Sequence, residues 1–223
     1  MAKARVLLVA LVMVSIAATG WAGPVSPPAW RGYAGTNYQE WQFSTDANPA
    51  APELSFGRTE FADIQPGAYS SGWFDGDLVF GSRQGFWDLG SAGRISVDVP
   101  SYSQPRGFSE LGFKEVWVQV TYFKDLSAKP VVTVPGAQPV GDPVITLVEY
   151  APFGGSWYEE LTKWRVYTNF GTEEILITSD AKWGSLVDSV VVDSVFVAEP
   201  ASMTLMVLGG LVLAIRKRFR HLK

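Results

Sequence analysis

The feature that most constrains this fold is a strict alternation of side chains along KEVWVQVTYF, residues Lys114–Phe123. One set of alternating positions holds Val116, Val118, Val120 and Tyr122. The other set holds Trp117, Gln119 and Thr121. Successive side chains of a β-strand point to opposite faces, so this period of two residues predicts a strand with one face against a core.

The rest of the body repeats this signature. Further runs rich in β-branched and aromatic residues are DGDLVFGS, GRISVDVP, DPVITLVEY, WRVYTNF, EEILITS and SLVDSVVVDSVFV. Turn-like clusters such as APFGGS and SDAKWGS separate them, and no amphipathic helical pattern interrupts the series. We therefore predict an all-β fold, a single antiparallel β-sandwich of jelly-roll-like type over residues 23–198. Within it, residues 23–60 are rich in Pro, Gly, Asn and aromatic residues and are expected to wrap the sandwich as an irregular segment.

Composition narrows the chemistry that the body can perform. The 223 residues include no cysteine and one histidine, His221, which lies near the C-terminus. A disulfide framework, a thiolate nucleophile and a histidine-based catalytic or metal site are therefore excluded from the body. Residues 23–198 carry 11 basic and 21 acidic side chains, a formal net charge of −10. So acidic a body repels phosphate backbones, which argues against nucleic-acid binding.

The N-terminal sequence MAKARVLLVALVMVSIAATGWAGP is organised like a signal peptide. Two basic residues precede the apolar run Val6–Ala18, which is shorter than the roughly 20 residues of a transmembrane helix. Gly20 and Ala22 supply the small residues that a signal peptidase needs, so we predict a signal helix over residues 1–22 and cleavage between Ala22 and Gly23. A permanent N-terminal anchor is the alternative.

The C-terminal segment, residues 199–223, combines an apolar run with a cluster of positive charge. The run from Met203 to Ile215 would span ~20 Å as a helix, against a hydrocarbon core of ~30 Å. The basic residues that follow are Arg216, Lys217, Arg218 and Arg220. By the positive-inside rule they hold the tail on the cytoplasmic side. We predict a single short hydrophobic helix that arrests the exported chain with Glu199 and Pro200 just outside the membrane.

This tail resembles the PEP-CTERM sorting signal, which joins a Pro-Glu-Pro motif to a short transmembrane segment and an Arg-rich end. The motif here is Val197-Ala198-Glu199-Pro200-Ala201-Ser202, and Ala198 stands where the usual signal has its first proline. The resemblance implies an exported bacterial protein that is held transiently in the inner membrane and processed by an exosortase, a membrane protease/transpeptidase-like enzyme. It would then reach the cell surface or an extracellular matrix that contains exopolysaccharide. A plain single-pass anchor is the alternative.

The body is also similar to a group of PEP-CTERM proteins without assigned activity. The resemblance lies in the order of AWRG, YQEWQFSTDANPAAPE, GFWDLG, KEVWVQVTYF, WRVY and a final VDSVVVDSVFV that enters the tail. It covers most of the body and implies no activity.

Two acidic patterns invite a catalytic or metal-binding interpretation. Asp75 and Asp77 flank Gly76 and offer oxygen ligands to Ca²⁺, but Asp-Gly is common turn chemistry and no EF-hand spacing follows. We predict a turn there and no cofactor, with calcium as the alternative. Glu159–Glu160 and Glu173–Glu174 are adjacent pairs whose members point to opposite faces of a strand, so neither pair forms the opposed carboxylates of a glycosidase. An acid-pair glycosidase would need carboxylates from distant strands.

Tryptophan is the most abundant candidate for ligand contact. Eight of the nine tryptophans lie in residues 23–198. Trp117, on the face opposite the valine row, and Trp157, after the Gly-Gly pair of a turn, are the candidates for exposed platforms that stack on sugar rings. We predict a non-enzymatic body with a structural or interaction role, and a polysaccharide-binding module is the alternative.

Overall fold

The computed structural model describes residues 26–76, 80–100, 112–167 and 172–198. Within these ranges the chain forms thirteen β-strands and no α-helix. The strands make two antiparallel sheets of nine and four strands, which bury a common core. The prediction of an all-β fold is confirmed, and the two sheets are consistent with a sandwich. Over the described ranges, no helix is long and apolar enough to cross a membrane.

The strands follow one another with short connections. In chain order they are β1 (Thr36–Trp41), β2 (Leu54–Phe56), β3 (Ala62–Gln65), β4 (Gly72–Asp75), β5 (Gly85–Asp88), β6 (Arg94–Val99), β7 (Gly112–Lys124), β8 (Val131–Thr133), β9 (Gln138–Pro139), β10 (Val144–Tyr150), β11 (Ser156–Val166), β12 (Glu173–Thr178) and β13 (Leu186–Ala198).

The larger sheet is built around the two longest strands, β7 and β13. Its main path runs β10-β11-β7-β13-β1-β2, while β5 pairs with the start of β13, β4 pairs with β5, and β9 pairs with β11. The smaller sheet has the order β3-β6-β12-β8. β13 therefore has β7 along one side and, over most of its length, β5 and then β1 along the other, while its last residues, 196–198, pair with β7 alone.

Alternation of side chains explains why the two sheets pack. Val116, Val118 and Val120 of β7 point at the smaller sheet and are fully buried. Ile95, Val97, Ile175 and Ile177 of β6 and β12 meet them and are fully buried as well. Burial of each such side chain contributes roughly 1.5–3 kcal/mol. The valine row that predicted the strand is thus the centre of the core.

The strand predictions are confirmed for five of the runs, with one change of boundary. GRISVDVP, KEVWVQVTYF, DPVITLVEY, EEILITS and SLVDSVVVDSVFV contain β6, β7, β10, β12 and β13. WRVYTNF supplies only the end of β11, which already begins at Ser156. The run DGDLVFGS includes residues outside the described ranges.

The first described residues lie on the larger sheet. Residues 26–35 form no strand, and Arg31 ties them to β13. Its Nε and Nη2 donate to the two carboxylate oxygens of Asp193 at 2.6 and 2.5 Å. Burial raises the pKa of Asp193, and Arg31 opposes that shift. The wrapping of the sandwich by residues 23–60 stays a prediction.

The prediction that residues 23–60 are irregular is wrong for Thr36–Trp41 and for Leu54–Phe56, which form β1 and β2. β1 is an interior strand between β13 and β2. Trp41 is fully buried in the core, and Gln39 on the same face accepts a hydrogen bond from the backbone N–H of Glu60 at 2.6 Å. Polar residues such as Gln39 occupy core-facing positions of β1, so the strand shows no alternation of apolar and polar residues. The groups that satisfy these polar side chains lie elsewhere in the chain and cannot be identified from the local sequence.

A buried ion pair joins the two sheets at one end of the core. Lys114 of β7 donates to the carboxylate of Glu173 in β12, and both side chains are nearly inaccessible. The Nζ of Lys114 also donates to the carbonyl oxygens of Val99 at 3.1 Å and Pro100 at 3.3 Å. Burial lowers the pKa of Lys114 and raises that of Glu173, and the opposite charge of each partner counters both shifts.

We expect Lys114→Met to reduce the free energy of unfolding by about 3–5 kcal/mol, because it leaves the carboxylate of Glu173 buried without its counter-charge. The double variant Lys114→Met/Glu173→Leu should recover most of that loss. Urea denaturation measures both, with Lys124→Met, at the exposed end of the same strand, as the control. If Lys114→Met unfolded like this control, the ion pair would have no structural role.

Candidate functional site

The predicted sorting motif begins inside the larger sheet. β13 remains paired with β7 up to Val197 and Ala198, which lie opposite Phe113 and Gly112. The backbones are so close here that a Cβ at Gly112 would collide with the ring of Phe196 and the carbonyl of Val197. The end of β13 is therefore held in the sheet by its ladder with β7.

The other predicted sorting and processing residues lie outside the described ranges. They are Ala22 and Gly23 at the N-terminal cleavage site, Glu199 to Ser202 of the motif, the apolar run Met203–Ile215, and Arg216, Lys217, Arg218 and Arg220.

Trp157 is a core residue, so the expectation that it forms an exposed platform is wrong. It lies in β11, is fully buried and packs edge-on against Phe86 and Phe123 with ring centroids 5.6 and 5.2 Å apart. Its Nε1 donates to the carbonyl oxygen of Phe80 at 2.5 Å. This aromatic cluster covers the face of the larger sheet that points away from the smaller one. The preceding Gly-Gly pair ends a turn, and the strand that begins there turns the indole inwards.

Trp117 lies on the predicted face, but other side chains of the protein cover its ring. Lys163 places its Nζ 3.8 Å from the ring centroid, and Trp30 packs against it edge-on at 6.0 Å. Its Nε1 donates to Glu115 at 2.6 Å. The half-buried ring is thus held by its own neighbours, which leaves little of it for a ligand.

Trp183 is the tryptophan that the described residues leave exposed, with 67% of its surface accessible. A short turn holds it in place, because one carboxylate oxygen of Asp180 accepts hydrogen bonds from the N–H groups of Lys182 at 2.7 Å and Trp183 at 2.9 Å. These bonds lower the pKa of Asp180. Ser91 also donates to the carbonyl oxygen of Ala181. The run SDAKWGS contained this signal, since an Asp that starts a turn orders the residues that follow.

Several loops meet around this turn, and we call them the distal loops: residues 67–70, 90–92, 125–128 and 180–185. Backbone hydrogen bonds connect them, including Ala128 N–H to the Gly184 carbonyl at 2.9 Å. Tyr69, Ala92 and Asp125 have φ angles of 62°, 58° and 86°, the left-handed region that few non-glycine residues adopt. Trp183 is therefore displayed on a group of mutually supported loops. They lie at the start of β13, roughly 40 Å from Ala198 at the strand rise of ~3.3 Å per residue.

The adjacent glutamates are separated as the sequence predicts. Glu159 and Glu160 point to opposite faces of β11, where they lie opposite Thr121 and Val120. Glu160 accepts a hydrogen bond from Lys129 at 2.8 Å. In β12, Glu173 binds Lys114 while Glu174 accepts from the hydroxyl of Ser96. Neither adjacent pair forms the two facing carboxylates of a glycosidase.

Two carboxylates from distant strands do come together, at Arg83. Its Nη2 lies 3.3 Å from Glu149 of β10 and its Nη1 lies 2.9 Å from Asp188 of β13. Burial raises the pKa of Asp188 to about 7, although Arg83 opposes the shift. The guanidinium fills the space between the two carboxylates where a glycosidic oxygen would have to lie. This cluster ties the segment around Arg83 to the sheet.

A pocket of ≈210 Å³ opens between the sheets beside β8 and β11. Its wall is mainly apolar, with Pro130, Pro139 and Trp164, and the ion pair of Lys129 and Glu160 lies at its edge. The indole N–H of Trp164 is already occupied by the hydroxyl of Thr162 at 3.0 Å. Its volume and mainly apolar lining suit a small apolar group.

The calcium alternative has one of its two ligands in the described ranges. Asp75 is exposed at the end of β4, and Asp77 lies outside those ranges. Across the described residues, no group of three or more acidic or histidine side chains is placed to hold a metal ion.

No protein-family model, curated protein or solved structure matches this chain. Function has to be inferred from its own residues and from their places in the two sheets.

Trp157→Ala should lower the free energy of unfolding by about 3–5 kcal/mol, because it empties a fully buried indole site. Trp183→Ala should change it by less than about 0.5 kcal/mol, because that ring is exposed. Chemical denaturation followed by far-UV circular dichroism distinguishes the two. If the two substitutions lowered the free energy of unfolding equally, Trp157 would not be a core residue and Trp183 an exposed one.

Proposed function

We propose that this is an exported bacterial protein of the cell surface or extracellular matrix, sorted and processed through its C-terminal segment. Residues 1–22 direct export and are removed by a signal peptidase. Residues 199–223 act as a PEP-CTERM-like signal that an exosortase processes at the inner membrane. The body is then a non-enzymatic, jelly-roll-like sandwich, flanked in the precursor by a signal helix and a C-terminal hydrophobic helix.

The course of β13 is the observation that supports this proposal most. This interior strand stays paired with β7 to Ala198, and the motif continues at the next residue, Glu199. A chain arrested by its apolar run would hold the end of the sandwich against the membrane without a flexible stalk. An enzyme embedded in the same membrane would then act directly beside the folded end of the sandwich.

Each part of the tail has a separate physical role in this proposal. Glu199 and Pro200 are substrate, the run Met203–Ile215 arrests translocation, and the basic cluster fixes the orientation. Three ion pairs of the body support a structural role for it, because each connects separate elements of the fold: Arg31 with Asp193, Arg83 with Asp188, and Lys114 with Glu173.

Substitution of Glu199 and Pro200 by alanine should leave a precursor that keeps its tail, because the enzyme loses the residues it recognises. Intact-mass spectrometry of the protein from cells that contain an exosortase would show a C-terminus at Lys223 instead of one near residue 200. The matched control is Asp142→Ala/Pro143→Ala, an exposed acidic-proline pair within the body, which should be processed normally. Normal loss of the tail from the Glu199/Pro200 variant would contradict the proposal, and retention of the tail in the unaltered protein would favour a permanent anchor.

A second candidate function is polysaccharide binding, and the position of Trp183 favours it. The apolar face of a sugar ring stacks on an exposed indole. Because hydrogen bonds to Asp180 hold the turn that carries Trp183, its indole loses little conformational freedom on binding. Trp183 lies at the end of β13 remote from Ala198. In a protein held at its C-terminal end, the distal loops would point away from the membrane towards the surrounding matrix.

Trp183→Ala should weaken retention on the exopolysaccharide of the producing cells about two- to tenfold, because stacking contributes about 0.5–1.5 kcal/mol and 1.4 kcal/mol is a factor of ten. Affinity electrophoresis of the full chain measures this. Tyr33→Ala is the matched control, since Tyr33 is 66% exposed and precedes β1 near the other end of the sheet. Unchanged retention of the Trp183 variant would remove the polysaccharide function at this site and leave the sorting proposal intact.

A further inference from the structure

The end strand β10 of the larger sheet has an open edge. β10 pairs with β11 on one side, and no described strand pairs with the other. It has seven residues, whereas β2, β3 and β8, the other strands at sheet ends on the main paths, have three or four. Proteins usually keep such edges short because the unpaired N–H and C=O groups form hydrogen bonds with other chains. β10 departs from that rule.

The side chains of β10 are apolar on both faces of the sheet. Val144, Ile145, Leu147 and Tyr150 are between 39% and 73% exposed. Within the strand there is no lysine or proline, the residues that commonly block an edge. The ladder to β11 runs in regular register from Val144 to Leu147 before it shifts. This regular part therefore offers its extended backbone to a further strand, and it carries apolar side chains on both faces of the sheet.

Charge does not oppose the approach of an identical strand. The only residue of β10 that carries a charge at neutral pH is Glu149, and its carboxylate is engaged within its own chain. Ser82 donates to it from its backbone N–H at 3.1 Å and its hydroxyl at 3.0 Å, and Arg83 neutralises it at 3.3 Å. Two such strands side by side would bring together neutral backbone and apolar side chains.

We propose that β10 pairs with β10 of a second copy of this chain, so that the larger sheets of two molecules become one continuous sheet. A two-fold axis makes the contact self-complementary and antiparallel. All the existing ladders of this sheet are antiparallel too. Opposed residues of an antiparallel pair share a face, and the axis stands perpendicular to the sheet. One residue of β10 must therefore lie directly opposite its own copy.

That geometry can be tested with single cysteines, because the chain contains none of its own. The full chain would carry cysteine at 144, 145, 146, 147 or 148 in turn, and mild oxidation would be followed on a non-reducing gel with mass spectrometry. The residue opposite its own copy should give a covalent dimer in high yield, and its two neighbours, which point to the other face, should give much less. Leu54→Cys, 46% exposed in β2, is the control and should stay largely monomeric.

A charge at the edge gives an independent readout. Ile145→Lys, or Leu147→Lys where position 145 itself cross-links best, should reduce the dimer yield at least tenfold when added to the best cross-linking variant, because it places two like charges near the axis. Val131→Lys, 53% exposed in β8, should leave the yield unchanged. The proposal is overturned if no β10 position exceeds Leu54→Cys, if all five positions react equally, if the charge substitution in β10 has no effect, or if the cross-linked mass is that of another protein.

Discussion

The antiparallel ladder between β7 and β13 is the constraint on which the rest of this structure depends. Both strands have thirteen residues, and their pairing runs from Phe123 opposite Leu186 to Gly112 opposite Ala198. One face of the ladder provides the valines that meet the smaller sheet. The other face carries Trp117 and the aromatic cluster around Phe123 and Trp157. Because β13 is flanked on both sides, every peripheral strand of the larger sheet is positioned relative to this pair.

The buried charges are used to attach peripheral parts of the chain to that ladder. Asp193 and Asp188 of β13 bind arginines from segments that form no strand, and Lys114 of β7 binds the smaller sheet. Such pairs cost desolvation, and their gain over apolar packing is small, but removal of one partner is expensive. These ion pairs therefore specify the position of each attached segment relative to the ladder.

The sequence allowed most of the longer strands to be predicted, because alternation over six or more residues is a local property, but of the eleven-residue β11 it predicted only the end. The short strands β3, β4, β8 and β9 lacked enough residues to show a period, and β1 was hidden by polar side chains whose partners lie far along the chain. Lys114 and Glu173 are separated by 59 residues, so no local pattern could pair them. The same limit applies to the tryptophans. Proximity to a Gly-Gly turn placed Trp157 wrongly on the surface, while the Asp180 turn that displays Trp183 was present in the sequence only as a separator between strands.

The direction of the strands sets a condition on when two molecules can join. Three antiparallel steps separate β13 from β10, so β10 runs opposite to β13. When two copies meet along β10, their Ala198 ends point in opposite directions. If residues 199–223 hold the chain in a membrane as proposed, one flat bilayer would not hold both ends of such a pair, so neighbours still tethered there would be kept apart by geometry. Association along this edge would then belong to molecules already set free, which would make release itself the event that permits assembly.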